Sequence, residues 1–147
     1  MSLLIRNLTR TKIKLNLLGD VEKVVMKEEK IKQNTEVSLV FVGEDRIRKF
    51  NKIYRGIDRI TDVLSFEGKN EDNFVDPSND VAYLGEIFIC VPRAKKQARE
   101  KGHSIEKEVD ILLVHGLFHL LGYDHIKDAD YEIMKKKEEK ILKNLYR

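Results

Sequence analysis

The chain has 147 residues, enough for one domain with a real hydrophobic core and too few for two comfortable ones. At 41% hydrophobic and 36% charged it reads as an ordinary soluble globular protein, and no apolar stretch approaches the ~18 residues of a membrane span. A net charge of +3 permits an anionic partner without demanding one, a single cysteine excludes an internal disulfide, and the absence of a signal-like start makes the expectation a cytoplasmic protein in a reducing compartment.

No internal repeat or low-complexity tract is present. Leu3–Asn7 reads as a short first strand. Leu17, Val21, Val24, Val25 and Ile31 recur at helical spacing between charges, predicting a helix across residues 17–31. Val37, Leu39 and Phe41 alternate with Ser38 and Val40, predicting a strand with the first set inward. Gly43, Glu44 and Asp45 open a short helix carrying Ile47, Phe50 and Tyr54, which Gly56 closes. Thr61–Phe66 has the β-branched and aromatic enrichment of a strand.

Residues 69–80, poor in apolar side chains, predict a loop. Leu84–Cys90 is a near-continuous apolar run, hence an interior strand with Cys90 as a small core residue. Pro92 begins a basic helix that ends at Lys101 and Gly102, and His103 in the following turn is expected to be solvated. Ser104 is a good N-cap for a helix reaching Leu121, with Glu106 and Glu108 near its positive end. The block Ile111–Val114 implies that this helix is central and buried. Asp128 or a neighbour caps a last helix towards Leu145, in which Met134 is a core residue and the charged stretch Lys135–Lys140 a solvated face. The expected fold is α+β, a single small domain with a central sheet of about four strands packed with helices.

Three of the four histidines fall inside eleven residues, spaced His115-x3-His119-x5-His125 with Gly122 in the longer gap. Four residues along a helix return to within about 40° of the same face, roughly 6 Å further along the axis, so His115 and His119 can converge on one ion. Gly122 suits a helix stop that lets the chain turn back with His125. Burying three imidazoles without partners would cost about 1–3 kcal/mol each, which argues against a plain core role. Three neutral nitrogen ligands with no fourth protein ligand nearby describe an open zinc site.

The spacing is that of the metzincin zinc motif with one difference. A glutamate acting as general base follows the first histidine there; here the position is Gly116, which disfavours peptide hydrolysis by that route. Three neutral ligands also leave the ion's charge uncompensated, matching it to an anionic ligand such as a phosphate. Phosphodiester hydrolysis needs in addition a positive group over the developing charge, and Arg55, at a helix end before Gly56, is the candidate. By spacing alone an ordinary surface arginine remains open for Arg55. Lys52, Arg59, Arg93, Lys95 and Lys96 could extend an RNA path from it or be common surface charge.

The segments Asn51–Gly56 with Thr61–Phe66, Leu84–Cys90 and His115–His125, in order and separation, resemble the YbeY family of bacterial ribosomal-RNA maturation factors over nearly the whole chain. The resemblance implies a small α+β domain with the histidine helix packed on a central sheet, and one zinc ion per chain held by His115, His119 and His125. It implies that Arg55 is the catalytic arginine near the metal, and that residues 1–147 form a single zinc-dependent endoribonuclease domain. The implied activity is single-strand-specific cleavage in maturation of the 3′ end of 16S ribosomal RNA and in ribosome quality control. Implied partners are ribosomal RNA and the small ribosomal subunit, with ribosomal proteins and an assembly GTPase as further candidates and no membrane. One departure is Glu86, where the family often has aspartate. Two other readings stay open: a non-catalytic ribosome-assembly factor with a structural zinc, and a metal-dependent hydrolase of another substrate whose base would come from Asp124 or Glu132.

Overall fold

Among the described residues four strands form one sheet in the order β1-β2-β4-β3, comprising β1 (Ser2–Asn7), β2 (Thr35–Val42), β3 (Val63–Glu67) and β4 (Ala82–Cys90). The computed structural model describes residues 1–68, 82–123 and 128–146; the loop expected at 69–80 lies outside the described residues. β1, β2 and β4 run parallel, and β3 is an antiparallel edge strand beside β4. Among the described residues five helices accompany the sheet: α1 (Val21–Glu29), α2 (Glu44–Arg55), α3 (Val91–Lys101), α4 (Ile105–Leu120) and α5 (Asp128–Leu145). The architecture is the α+β arrangement expected. Among the described residues no helix is long and apolar enough to cross a membrane.

The two inner strands explain the sequence pattern. Ile87 and Ile89 of β4 join Val37, Leu39 and Phe41 of β2 in one cluster with residues of α1, α4 and α5. On the other face Val40, Val42, Leu64 and Cys90 cluster with Ile47 of α2. β2 is therefore buried on both sides, not on the Val37 side alone as alternation suggested, because a parallel interior strand is covered on each face. Cys90 is fully buried as expected, and burial pushes its thiol up, which keeps it unreactive.

The helix predicted over residues 17–31 is shorter. A 3₁₀ turn spans Leu15–Leu17, and α1 ends where Lys30 takes a left-handed conformation (φ 52°), with the Ile31 N–H bonded back to the Met26 carbonyl. Ile31 still packs on the core, which is why its spacing read as helical. Ser104 caps α4 as expected, its hydroxyl accepting from the Lys107 N–H at 3.1 Å.

His103 is a correction. It is mostly buried, with Nε2 2.8 Å from Oε1 of Glu108, and Lys101 Nζ lies 3.2 Å from the other oxygen. Glu108 is fully buried, and a buried carboxylate needs such partners. The stretch Lys135–Lys140 is in the main the solvated face expected. Its outer residues are exposed, but Lys137 and Lys140 pair with Glu29 and Glu28 of α1, and Glu138 turns inward to His115. Met134 is buried in the core, as expected.

Candidate metal centre

α4 carries two of the three predicted ligands one helical turn apart. The Nε2 atoms of His115 and His119 stand 3.1 Å apart, with the rings nearly perpendicular at 82°. Two imidazole nitrogens at about 2.0–2.1 Å from one ion and a tetrahedral angle would stand about 3.3 Å apart. The pair thus fits a shared divalent cation with almost no adjustment.

Glu138 of α5 lies 2.7 Å from Nδ1 of His115. With Nδ1–H donating to that carboxylate, Nε2 is left as the unprotonated nitrogen facing His119. A histidine that ligates a metal is commonly oriented this way. Sequence reading missed Glu138 because its neighbours make it look like solvated charge. The available signal was helical spacing: Met134, Glu138 and Ile141 share one face of α5, and the other two are buried.

His125 lies outside the described residues, and among those described no three His, Cys, Asp or Glu side chains converge on one point. The chain does leave α4 as anticipated. Gly122 has φ 96°, and its N–H and that of Tyr123 bond back to the carbonyls of His119 and Phe118. Beyond it, the Tyr123 hydroxyl donates to Glu29 Oε2 at 2.8 Å, while Lys137 donates to Oε1 at 3.0 Å and lies over the Tyr123 ring. The hydrogen bond to Glu29 holds the Lys137 ammonium above its ordinary range. α1, α5 and the exit from α4 are tied together at this point.

Gly116 has a packing reason. A Cβ there would lie 3.0 and 3.1 Å from two Ile87 carbons and 3.1 Å from Ser65 Oγ. A side chain beside His115 would require Ile87 and Ser65 to give by a few tenths of an ångström.

Ser65 also connects Arg55 to the centre. The Ser65 hydroxyl donates to the Gly116 carbonyl at 3.3 Å, and the Ser65 carbonyl accepts from Arg55 Nη2 at 3.1 Å. Arg55 is the last residue of α2, which ends because Gly56 is left-handed (φ 72°), and its guanidinium lies 5.9 Å from the centre of the Phe66 ring. One nitrogen is anchored, and the rest of the fork remains at an exposed position. Ser65 was not singled out in the sequence, since a strand serine carries no signal of its own.

Lys52, Arg59, Lys95 and Lys96 are exposed and Arg93 half-buried, and Lys95 donates to Thr11 Oγ1. Glu86 shares the strand face of Phe88, opposite the Ile87 face that meets Gly116. Glu132 is exposed on α5, and Asp124 lies outside the described residues.

The chain matches the family model described as Endoribonuclease YbeY over residues 5–146. It is 44% identical to the Endoribonuclease YbeY of Desulforamulus reducens over 131 residues, covering 89% of this chain and 86% of that protein. Against the one from Finegoldia magna it is 46% identical over 132 residues, covering 88% and 83%. A solution structure of a Thermotoga maritima protein superposes with a TM-score of 0.61 at 32% identity, covering 97% of this chain and 89% of that one.

Proposed function

The chain belongs to the YbeY endoribonuclease family, and on that premise we propose that it is a zinc-dependent endoribonuclease, one catalytic domain over residues 1–147, acting on ribosomal RNA. The observation that carries the metal dependence is the 3.1 Å approach of the His115 and His119 Nε2 atoms, with Glu138 on the far side of the His115 ring. His115, His119 and His125 would hold the ion. When bound, a divalent ion in such a site supplies Lewis-acid polarisation and a nucleophilic water near neutral pH.

The chain's own residues do the rest. Glu138 keeps the His115 ring oriented and its tautomer fixed. Ser65 holds the edge strand to α4 and anchors Arg55 by its carbonyl, so the arginine reaches the site pre-ordered. The remaining N–H groups of the fork are suited to two phosphate oxygens, holding the substrate and the charge that develops on it. The substrate proposed with it is the 3′ end of 16S ribosomal RNA in the small subunit, in maturation and quality control within the cytoplasm; membership of an endoribonuclease family supports that reading.

The test is cleavage of a ribosomal-RNA precursor by purified protein with and without metal, beside elemental analysis of the preparation. Cleavage should need about one zinc per chain, and Arg55→Ala and His119→Ala should each lose at least ~100-fold in rate. If both variants cut like the wild type, the reading is wrong. Gly116 favours a second reading, an assembly factor whose ion is structural, because it denies α4 a general base. That reading prevails if a folded His119→Ala protein without metal still restores small-subunit maturation in cells.

A further inference from the structure

A groove of about 760 Å³ lies where α2 faces β3 and β4. Phe50, Tyr54, Phe66 and Phe88 line it as a chain of rings, with centroid spacings of 6.2 Å (Phe50–Tyr54), 5.3 Å (Tyr54–Phe66), 5.7 Å (Phe66–Phe88) and 4.9 Å (Phe50–Phe88). None of the four is buried, in contrast to Phe41 and Phe118 in the core, and Tyr54 is 66% exposed. Four clustered aromatic side chains left open beside an arginine suit unpaired nucleobases, which stack on ring faces while a cation takes the phosphate.

The polar lining narrows the ligand. Two carboxylate residues line the groove, Glu67 exposed and Glu86 half-buried, and Glu86 shares the strand face of Phe88. A carboxylate repels phosphate but accepts paired N–H donors as a fork. Guanine alone among the four RNA bases presents two adjacent donors, N1–H and N2–H. Adenine and cytosine set one donor beside an acceptor, and the single N–H of uracil is flanked by two carbonyl oxygens. Ser65 of the edge strand links the groove to the candidate metal centre. It lines the groove, holds Arg55 through its carbonyl, and bonds to Gly116, the residue after His115.

We propose that this groove is a nucleobase subsite selecting an unpaired guanine next to the scissile phosphodiester, with the base among Tyr54, Phe66 and Phe88, its Watson–Crick edge on Glu86, and the adjoining phosphate on Arg55. The inference rests on the endoribonuclease reading and adds to it a sequence preference.

The test is fluorescence anisotropy of the zinc-loaded protein with 5′-labelled pentanucleotides UUXUU, where X is G, A, C or U, with gels verifying that the oligonucleotide stays intact. The guanine version should bind about tenfold or more tightly than the uracil version, Glu86→Gln should abolish that preference, and Tyr54→Ala should weaken all four at least about fivefold. Circular dichroism should show both variants folded, since Tyr54 is exposed and glutamine is the same size as glutamate. Equal binding of the four oligonucleotides, a preference that survives Glu86→Gln, or wild-type binding by Tyr54→Ala would each overturn the proposal. Cleavage of the ribosomal-RNA precursor is followed in parallel. Cleavage without any guanine preference removes the subsite and leaves the endoribonuclease standing; guanine-selective binding that depends on Glu86 but yields no cleavage supports the subsite and removes the enzyme.

Discussion

On one face of the sheet Phe41 meets Phe118, Leu113 and Leu117 of α4, all essentially without solvent contact, and Val25 of α1 and Ile141 of α5 close the same cluster. On the other face, α2 buries only Ile47 and Asn51, and Phe50, Phe66 and Phe88 remain partly open. The helices account for the difference. α4 is buried nearly all round, its charged first turns included, whereas α2 is a polar helix with a narrow apolar stripe. The closed face fixes the two histidines on a rigid support; the open face keeps ring surfaces available beside Arg55. Tight packing and open ring surface thus lie on opposite sides of one sheet.

The largest effect expected is from joining the two faces wrongly. Gly85 on β4 has φ 151°, and a Cβ there would lie 2.3 Å from the Phe66 carbonyl oxygen and 2.9 Å from a Leu120 methyl. Gly85→Ala should cost about 5 kcal/mol or more, seen as a collapse of the urea midpoint or loss of folded protein. Next comes a paired truncation. Phe118→Ala should destabilise by about 3–5 kcal/mol and Phe88→Ala by roughly half as much, because the second ring is already partly hydrated. Equal losses in chemical denaturation would erase the contrast between the faces.

Glu138→Ala should leave the denaturation midpoint near that of the wild type yet weaken zinc binding about 10- to 100-fold, read by competition with a chromophoric chelator. Unchanged affinity would mean that the carboxylate does not orient His115. The smallest effect lies within the closed face. Asp110 of α4 is fully buried, accepting from the Gly19 N–H at 2.8 Å and from the Tyr146 hydroxyl through one oxygen, with no partner for the other among the described residues. Burial outweighs those two bonds and pushes its carboxyl up. A raised value means that the native state binds more protons than the unfolded chain. Its contribution is therefore fully present below about pH 4, the unfolded value, and is lost as pH rises through the folded one. Asp110→Asn should flatten that decline; an unaltered slope of stability against pH would assign it to another group.

Much of this was legible in the chain itself. Alternation and apolar runs located all four strands, and Gly43, Gly56, Gly102 and Ser104 bounded α2 to α4, because those boundaries depend on local backbone preferences. The His-x3-His spacing located a convergent pair, since helical periodicity alone brings those nitrogens together. What could not be read locally were relations between distant segments. Glu138 looked like one more solvated charge until α5 packed against α4, and His103 looked free until the buried Glu108 needed partners. The tight clearance at Gly116 became visible only once Ile87 and Ser65 were seen pressed against that helix. Periodicity and capping are properties of neighbours in sequence, so composition and spacing settle them. Which polar group faces which, and which aromatic rings stay uncovered, depends on how elements of unequal apolar width cover a sheet, and only the packed molecule decides that.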